Sequence, residues 1–131
     1  MKLSKEEIQC LGVLDRFGIN AKFCRIDKNF ITFFVPNKYY RNALKKLKSS
    51  KLRKKFSRKI EIFPYVEDAK KCTLFGLKTF NIKPLNIELK NSIIYIKLDA
   101  EDKGKIFRKI SKFKRFKELL KNTFEIQNIK V

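Results

Sequence analysis

Phe30-Ile31-Thr32-Phe33-Phe34-Val35-Pro36-Asn37-Lys38-Tyr39-Tyr40-Arg41-Asn42-Ala43-Leu44-Lys45-Lys46-Leu47 is the stretch that decides the fold. Its first six residues are mostly β-branched or aromatic, which suits a buried, pleated strand. Pro36-Asn37 closes that strand, and Tyr40, Leu44 and Leu47 then recur at helical spacing, predicting a helix from about Lys38 to Leu47. Upstream, Ala21 to Ile26 has the same strand character and is joined through Asp27-Lys28-Asn29, which reads as a hairpin turn. Ahead of it, Ser4 and Glu7 have capping-box spacing, and Ile8, Leu11 and Leu14 form an apolar helical face that Gly18-Ile19-Asn20 ends. Downstream, Ser49-Ser50 interrupts the helix, a second helical stretch carries Leu52 and Phe56, and a short strand from Ile60 to Phe63 is ended by Pro64. The predicted order is αββααβ.

The rest of the chain repeats that order. Glu67 to Phe75 predicts a helix. Phe80 to Leu89 and Ile93 to Leu98 read as strands with Asn91-Ser92 at the turn, and Pro84 requires the first of them to lie at an edge or be interrupted. Asp99 to Asp102 starts a helical region in which Ile106, Ile110, Phe113 and Leu120 fall near one face, flanked by Phe107 and Phe116, with a break near Ser111. Phe124 to Val131 alternates as a last strand. Two copies of one unit are therefore expected, residues 1–65 and 66–131, in an α+β fold whose three-stranded sheets are each covered by helices.

Composition narrows the chemistry. The 131 residues include 33 Lys plus Arg, 13 Asp plus Glu and no histidine, a formal net charge of +20. Without imidazole there is no Ser-His or Cys-His nucleophile and no ordinary base near neutral pH. Cys10, Cys24 and Cys72 lack metal-ligand spacing and read as reduced core thiols. Four glycines form neither a P-loop nor a GxGxxG turn. Asp15 and Asp27 read as cap or turn residues, and Glu101 and Asp102 as charges at a helix start. No catalytic residue, metal site or cofactor is expected. No apolar run approaches the roughly 20 residues of a membrane span, and the first residues do not resemble a signal peptide. A cytoplasmic protein with no membrane partner is expected.

The charge is concentrated. Residues 38–59 hold eleven basic residues and no acid, and residues 103–117 hold eight and no acid. Both halves are basic, 17 against 5 before residue 66 and 16 against 8 after it, so the charge is not a tail on a neutral domain. A polyanionic partner relieves the self-repulsion of such a chain.

The order and spacing of several stretches resemble a known family. Lys2-Leu3-Ser4-Lys5-Glu6-Glu7-Ile8, Ile60-Glu61-Ile62-Phe63-Pro64-Tyr65, Asp99-Ala100-Glu101-Asp102-Lys103-Gly104-Lys105, and Glu118-Leu119-Leu120 through Phe124-Glu125-Ile126 are similar to the short archaeal NusA-like transcription factors. That resemblance covers nearly the whole chain and implies two tandem KH domains of type II topology. It further implies single-stranded RNA binding in transcription elongation and termination; single-stranded RNA is the expected partner, with RNA polymerase or the ribosome a second candidate. A KH domain clamps about four nucleotides with a GXXG loop between two helices. The resemblance places that loop at Ala43-Leu44-Lys45-Lys46 and Arg108-Lys109-Ile110-Ser111, and neither contains glycine. Contact then falls to side chains: Lys38, Arg41, Lys45, Lys46 and Lys48 in the first copy, and Lys105, Arg108, Lys109, Lys112 and Arg115 in the second.

In the wider run through Lys51, Arg53, Lys54 and Lys55, six phosphate contacts would give a slope of log K against log salt of about −4. Tyr39 and Tyr40 are the best candidates for stacking on bases, whereas Phe30, Phe33, Phe63, Phe113 and Phe116 read as core. Two other readings stay open: a KH scaffold that docks on polymerase or ribosome with little specific RNA binding, and a non-specific DNA-compacting protein.

Overall fold

A computed structural model describes residues 3–131. The described residues are α+β, with six α-helices and two three-stranded mixed sheets. The chain divides into two compact units, with the boundary between Tyr65 and Val66.

In the first unit, α1 spans Lys5–Arg16, β1 Phe23–Ile26, β2 Phe30–Pro36, α2 Tyr40–Lys46, α3 Ser50–Lys54 and β3 Lys59–Tyr65, with a 3-10 turn at Asn37–Tyr39 before α2. The Ser4 hydroxyl accepts from Glu7 N–H while the Glu7 carboxylate accepts from Ser4 N–H, so the capping box forms in full. At the other end of α1, Gly18 N–H donates to Asp15 O and Ile19 N–H to Leu14 O, a Schellman turn that needs a left-handed residue; Gly18 supplies it at φ +79°. The Asp27 carboxylate accepts from the amides of Asn29 and Phe30 and closes the β1–β2 hairpin. β2 is central, antiparallel to β1 and parallel to β3. On its helix-facing side Ile31, Phe33 and Val35 join Cys10, Leu14, Cys24, Ala43, Leu52 and Ile62 in one buried core.

The second unit has α4 Ala69–Lys78, β4 Asn86–Lys90, β5 Ile93–Lys97, α5 Ala100–Arg108, α6 Ile110–Phe124 and β6 Asn128–Lys130. β5 is again central, antiparallel to β4 and parallel to β6. Asp68 and Asp99 cap α4 and α5 by accepting from Lys71 and Asp102 N–H. Asn91 and Ser92 both take positive φ in a two-residue hairpin loop, the geometry that matches strand twist. Phe80 packs edge-on to Phe113 and tilted to Phe116 in the buried interior. No helix among the described residues is long and apolar enough to cross a membrane.

Five expectations are corrected. The last strand, expected from Phe124 to Val131, spans only Asn128–Lys130, because α6 runs through Phe124 and ends on a left-handed Glu125. Strand β3 does not stop at Pro64 but continues to Tyr65, because β3 is an edge strand and a missing amide there breaks no ladder. The strand expected from Phe80 begins only at Asn86, after Pro84 and a left-handed Asn81 that ends α4. The helical break falls at Lys109 rather than Ser111, which shifts the helical phase and leaves Ile110 exposed. Ala43–Lys46 lies inside α2, so the turn between α2 and α3 is Leu47–Ser49; the second expected loop, Arg108–Ser111, does straddle a helix junction.

Candidate functional site

Helix α2 sorts its residues by face. Tyr40, Ala43 and Lys46 turn inward, while Arg41, Leu44 and Lys45 are exposed; in the turn that follows, Leu47 is partly buried and Lys48 is exposed. Lys38 is exposed on the 3-10 turn, with its ammonium 5.0 Å from the centre of the Tyr39 ring. Burial, with Glu61 nearby, pushes the Tyr40 hydroxyl pKa up. Tyr40 is therefore a packing residue, and Tyr39, 46% exposed, is the one of the pair open to a ligand.

Two expected contact residues are engaged elsewhere, and in the same way. Lys46 Nζ donates to Gly18 O at 2.8 Å, and Lys105 Nζ donates to Asn81 O at 2.7 Å. Gly18 and Asn81 are the left-handed residues that end α1 and α4, so in each unit a lysine ties a later helix to the helix-ending carbonyl, where a cation is electrostatically favoured. Lys105 also pairs with Asp102 at 3.1 Å, and Asp102 is only 7% exposed. The sequence assigned these lysines to phosphates; in the structure each ammonium also donates one bond to a helix-ending carbonyl. Lys112 lies 4.7 Å over the Phe80 ring, and Arg115 is half-buried, whereas Arg108 and Lys109 are exposed.

The first unit has a cleft of about 620 Å³ between the α2–α3 turn, α3, and the starts of β2 and β3. Phe30, Leu47 and Ile60 give it an apolar lining; Lys48, Arg53, Arg58 and Lys59 surround that lining with positive charge. The parallel register, Phe30 opposite Lys59 and Ile31 opposite Ile60, brings these residues together. Arg53 is held by two backbone carbonyls, Nε to Leu47 O and Nη2 to Lys48 O, which fixes the guanidinium at the end of α2. Arg58 pairs with Glu6 at 3.3 Å. Lys59 Nζ lies 6.0 Å from the Phe30 ring centre.

Neither helix corner uses a positive φ, so the backbone at those corners does not require glycine. A smaller recess of about 270 Å³ near the start of α2 carries the polar side chains Asn20, Asn42 and Tyr39 over Ile19, Val35 and Ala43.

Arg58 and Lys59 line this cleft but are not among the contact residues expected from sequence, and Arg53 enters there only as part of a basic run. The one local signal was their place at the end of the acid-free window; their partners lie across a parallel strand pair. The cysteines are all buried free thiols. Burial pushes the Cys72 pKa up to about 12 and drives that of Cys24 up as well.

No family model and no curated protein matches the chain. A solved structure described as "Crystal structure of APE1850" is similar over 98% of this chain and 99% of that one, with a TM-score of 0.80 and 24% sequence identity. At that identity the likeness is one of fold.

Proposed function

We propose that the chain is a single-stranded RNA-binding protein with two KH-like units of type II topology, and that the first unit carries the main binding cleft. The observation that carries this reading is the cleft itself: an apolar lining of Phe30, Leu47 and Ile60 edged by Lys48, Arg53, Arg58 and Lys59. Unstacked bases suit the lining and their phosphates suit the rim, whereas a duplex hides its base faces. The αββααβ order in both units supports the KH reading, and the cleft lies beside the corner between two helices where such a domain grips its strand. In this proposal side chains replace the glycine clamp. Following the resemblance, the RNA is a nascent transcript and the setting is transcription elongation or termination with RNA polymerase.

The test is competition between single-stranded RNA and duplex DNA of equal length at moderate salt. Preference for RNA, lost in the double variant Lys48→Glu with Lys59→Glu, is expected. Equal binding to both polymers would favour non-specific compaction of nucleic acid and refute the proposal.

A second reading, a scaffold that docks on polymerase or ribosome, is favoured by the glycine-free corners, which offer no close backbone approach to phosphate. It predicts salt-resistant capture of those assemblies alongside weak RNA binding.

A further inference from the structure

The corner between α5 and α6 is the reverse of the cleft. Phe107 is 77% exposed, the most exposed large apolar side chain among the described residues, and Ile110 is exposed three residues on. The inward side of α5 is supplied by Asp102 and Ile106, so Phe107 plays no part in the core. A long helical side chain leans back over positions i−3 and i−4, here Gly104 and Lys103. Gly104 has no side chain to cover the ring, and the Arg108 guanidinium lies 3.7 Å from where a Cβ on Gly104 would be. Arg108 and Lys109 are exposed beside the ring, in a window of eight cations without an acid.

We propose that Phe107 is a stacking platform for one unpaired base of a single-stranded RNA, with Arg108 and Lys109 holding the phosphates on either side of it. This rests on the RNA-binding reading and extends it to a second contact surface. The charge excludes a second copy of this chain as the occupant, since like surfaces repel. An exposed aromatic ring beside cations matches the base-and-phosphate repeat of a nucleic acid, whereas insertion into lipid calls for a continuous apolar face, which Phe107 and Ile110 alone do not make.

The experiment measures binding of the full chain to a single-stranded RNA carrying 2-aminopurine, across a salt series, for the wild type, Phe107→Ala, Phe107→Tyr, and Arg108→Ala with Lys109→Ala. Loss of a stacked base lowers affinity about tenfold. Phe107→Ala should show that loss with the salt slope unchanged, because the ring carries no charge, and should abolish quenching of the 2-aminopurine. Phe107→Tyr should bind as the wild type does. The Arg108/Lys109 variant should instead lower the magnitude of the slope by about 1.4, at roughly 0.7 per contact.

Wild-type affinity and quenching in Phe107→Ala would overturn the stacking proposal. So would a requirement for Phe107 in binding phosphatidylserine vesicles but not RNA. If Lys48→Glu with Lys59→Glu weakens RNA binding while Phe107→Ala does not, only the platform fails. If the wild type binds no RNA, the underlying reading fails with it.

Discussion

Two glycines, each inside a helix, should respond to the same substitution with opposite signs. Gly12 lies within α1, exposed, and a Cβ added there meets nothing within 4 Å. Alanine at that position removes the backbone entropy cost of glycine, so Gly12→Ala should stabilise the protein by about 0.5–1 kcal/mol. Gly76 lies within α4, where an added Cβ would clash with the edge of the Phe116 ring, itself fully buried. Overpacking of this kind costs about 1–3 kcal/mol, and a contact this deep belongs at the upper end. After the helix-propensity gain, Gly76→Ala should still destabilise by about 1–2 kcal/mol.

Urea unfolding followed by far-UV circular dichroism reads both: the midpoint rises for Gly12→Ala and falls for Gly76→Ala. The smaller ring-free side chain of Phe116→Leu should recover part of the Gly76→Ala loss, a coupling of at least about 0.5 kcal/mol in a double-mutant cycle. Movement of both midpoints in the same direction, or strict additivity of the pair, would refute the packing argument.

The lysine tethers give a second prediction. Lys105→Met removes a hydrogen bond and leaves the nearly buried Asp102 without its cation, costing about 1–3 kcal/mol, while Lys46→Met loses one more exposed bond and costs about 0.5–1.5 kcal/mol. Chemical denaturation checks both, with Lys45→Met, an untethered neighbour, expected within about 0.5 kcal/mol of wild type. A third prediction concerns alkaline pH. The Cys72 thiol is raised in the folded state, so its contribution is complete below about pH 9 and is lost as pH rises towards about 12. In that window the stability of the wild type should fall relative to Cys72→Ala by up to about 1.4 kcal/mol per pH unit, read as the difference between two denaturation series. A constant difference across that range would contradict the assignment.

What the sequence made legible was local. The Ser4–Glu7 box, the Asp27 turn, the Asn91-Ser92 loop, the helix end at Gly18 and the helix start at Asp99 each depend on residues within a few positions of one another, and each is formed. Pro84 marked a real interruption. Reasoning failed where distant partners decide. Pro64 reads as a stop in the sequence because its edge position follows from pairing with β2 and not from its neighbours. Lys46 and Lys105 looked like free cations because the carbonyls they meet lie 28 and 24 residues away. Ile110 looked inward because the break was expected near Ser111, after it, whereas the break at Lys109 resets the phase before Ile110. The cleft was only partly visible for the same reason: the basic window was plain, but the parallel register that sets Lys59 opposite Phe30 was not.

The most direct measurement is the salt dependence of single-stranded RNA binding by the wild type and by Lys48→Ala with Lys59→Ala. Four cleft cations at about 0.7 each give a wild-type slope of about −3, or steeper where the second unit contributes. The double variant, having lost two contacts, should fall about 1.4 short of the wild type in magnitude. Identical slopes for the two proteins, or RNA binding indifferent to salt, would contradict the claim that this cleft holds the strand.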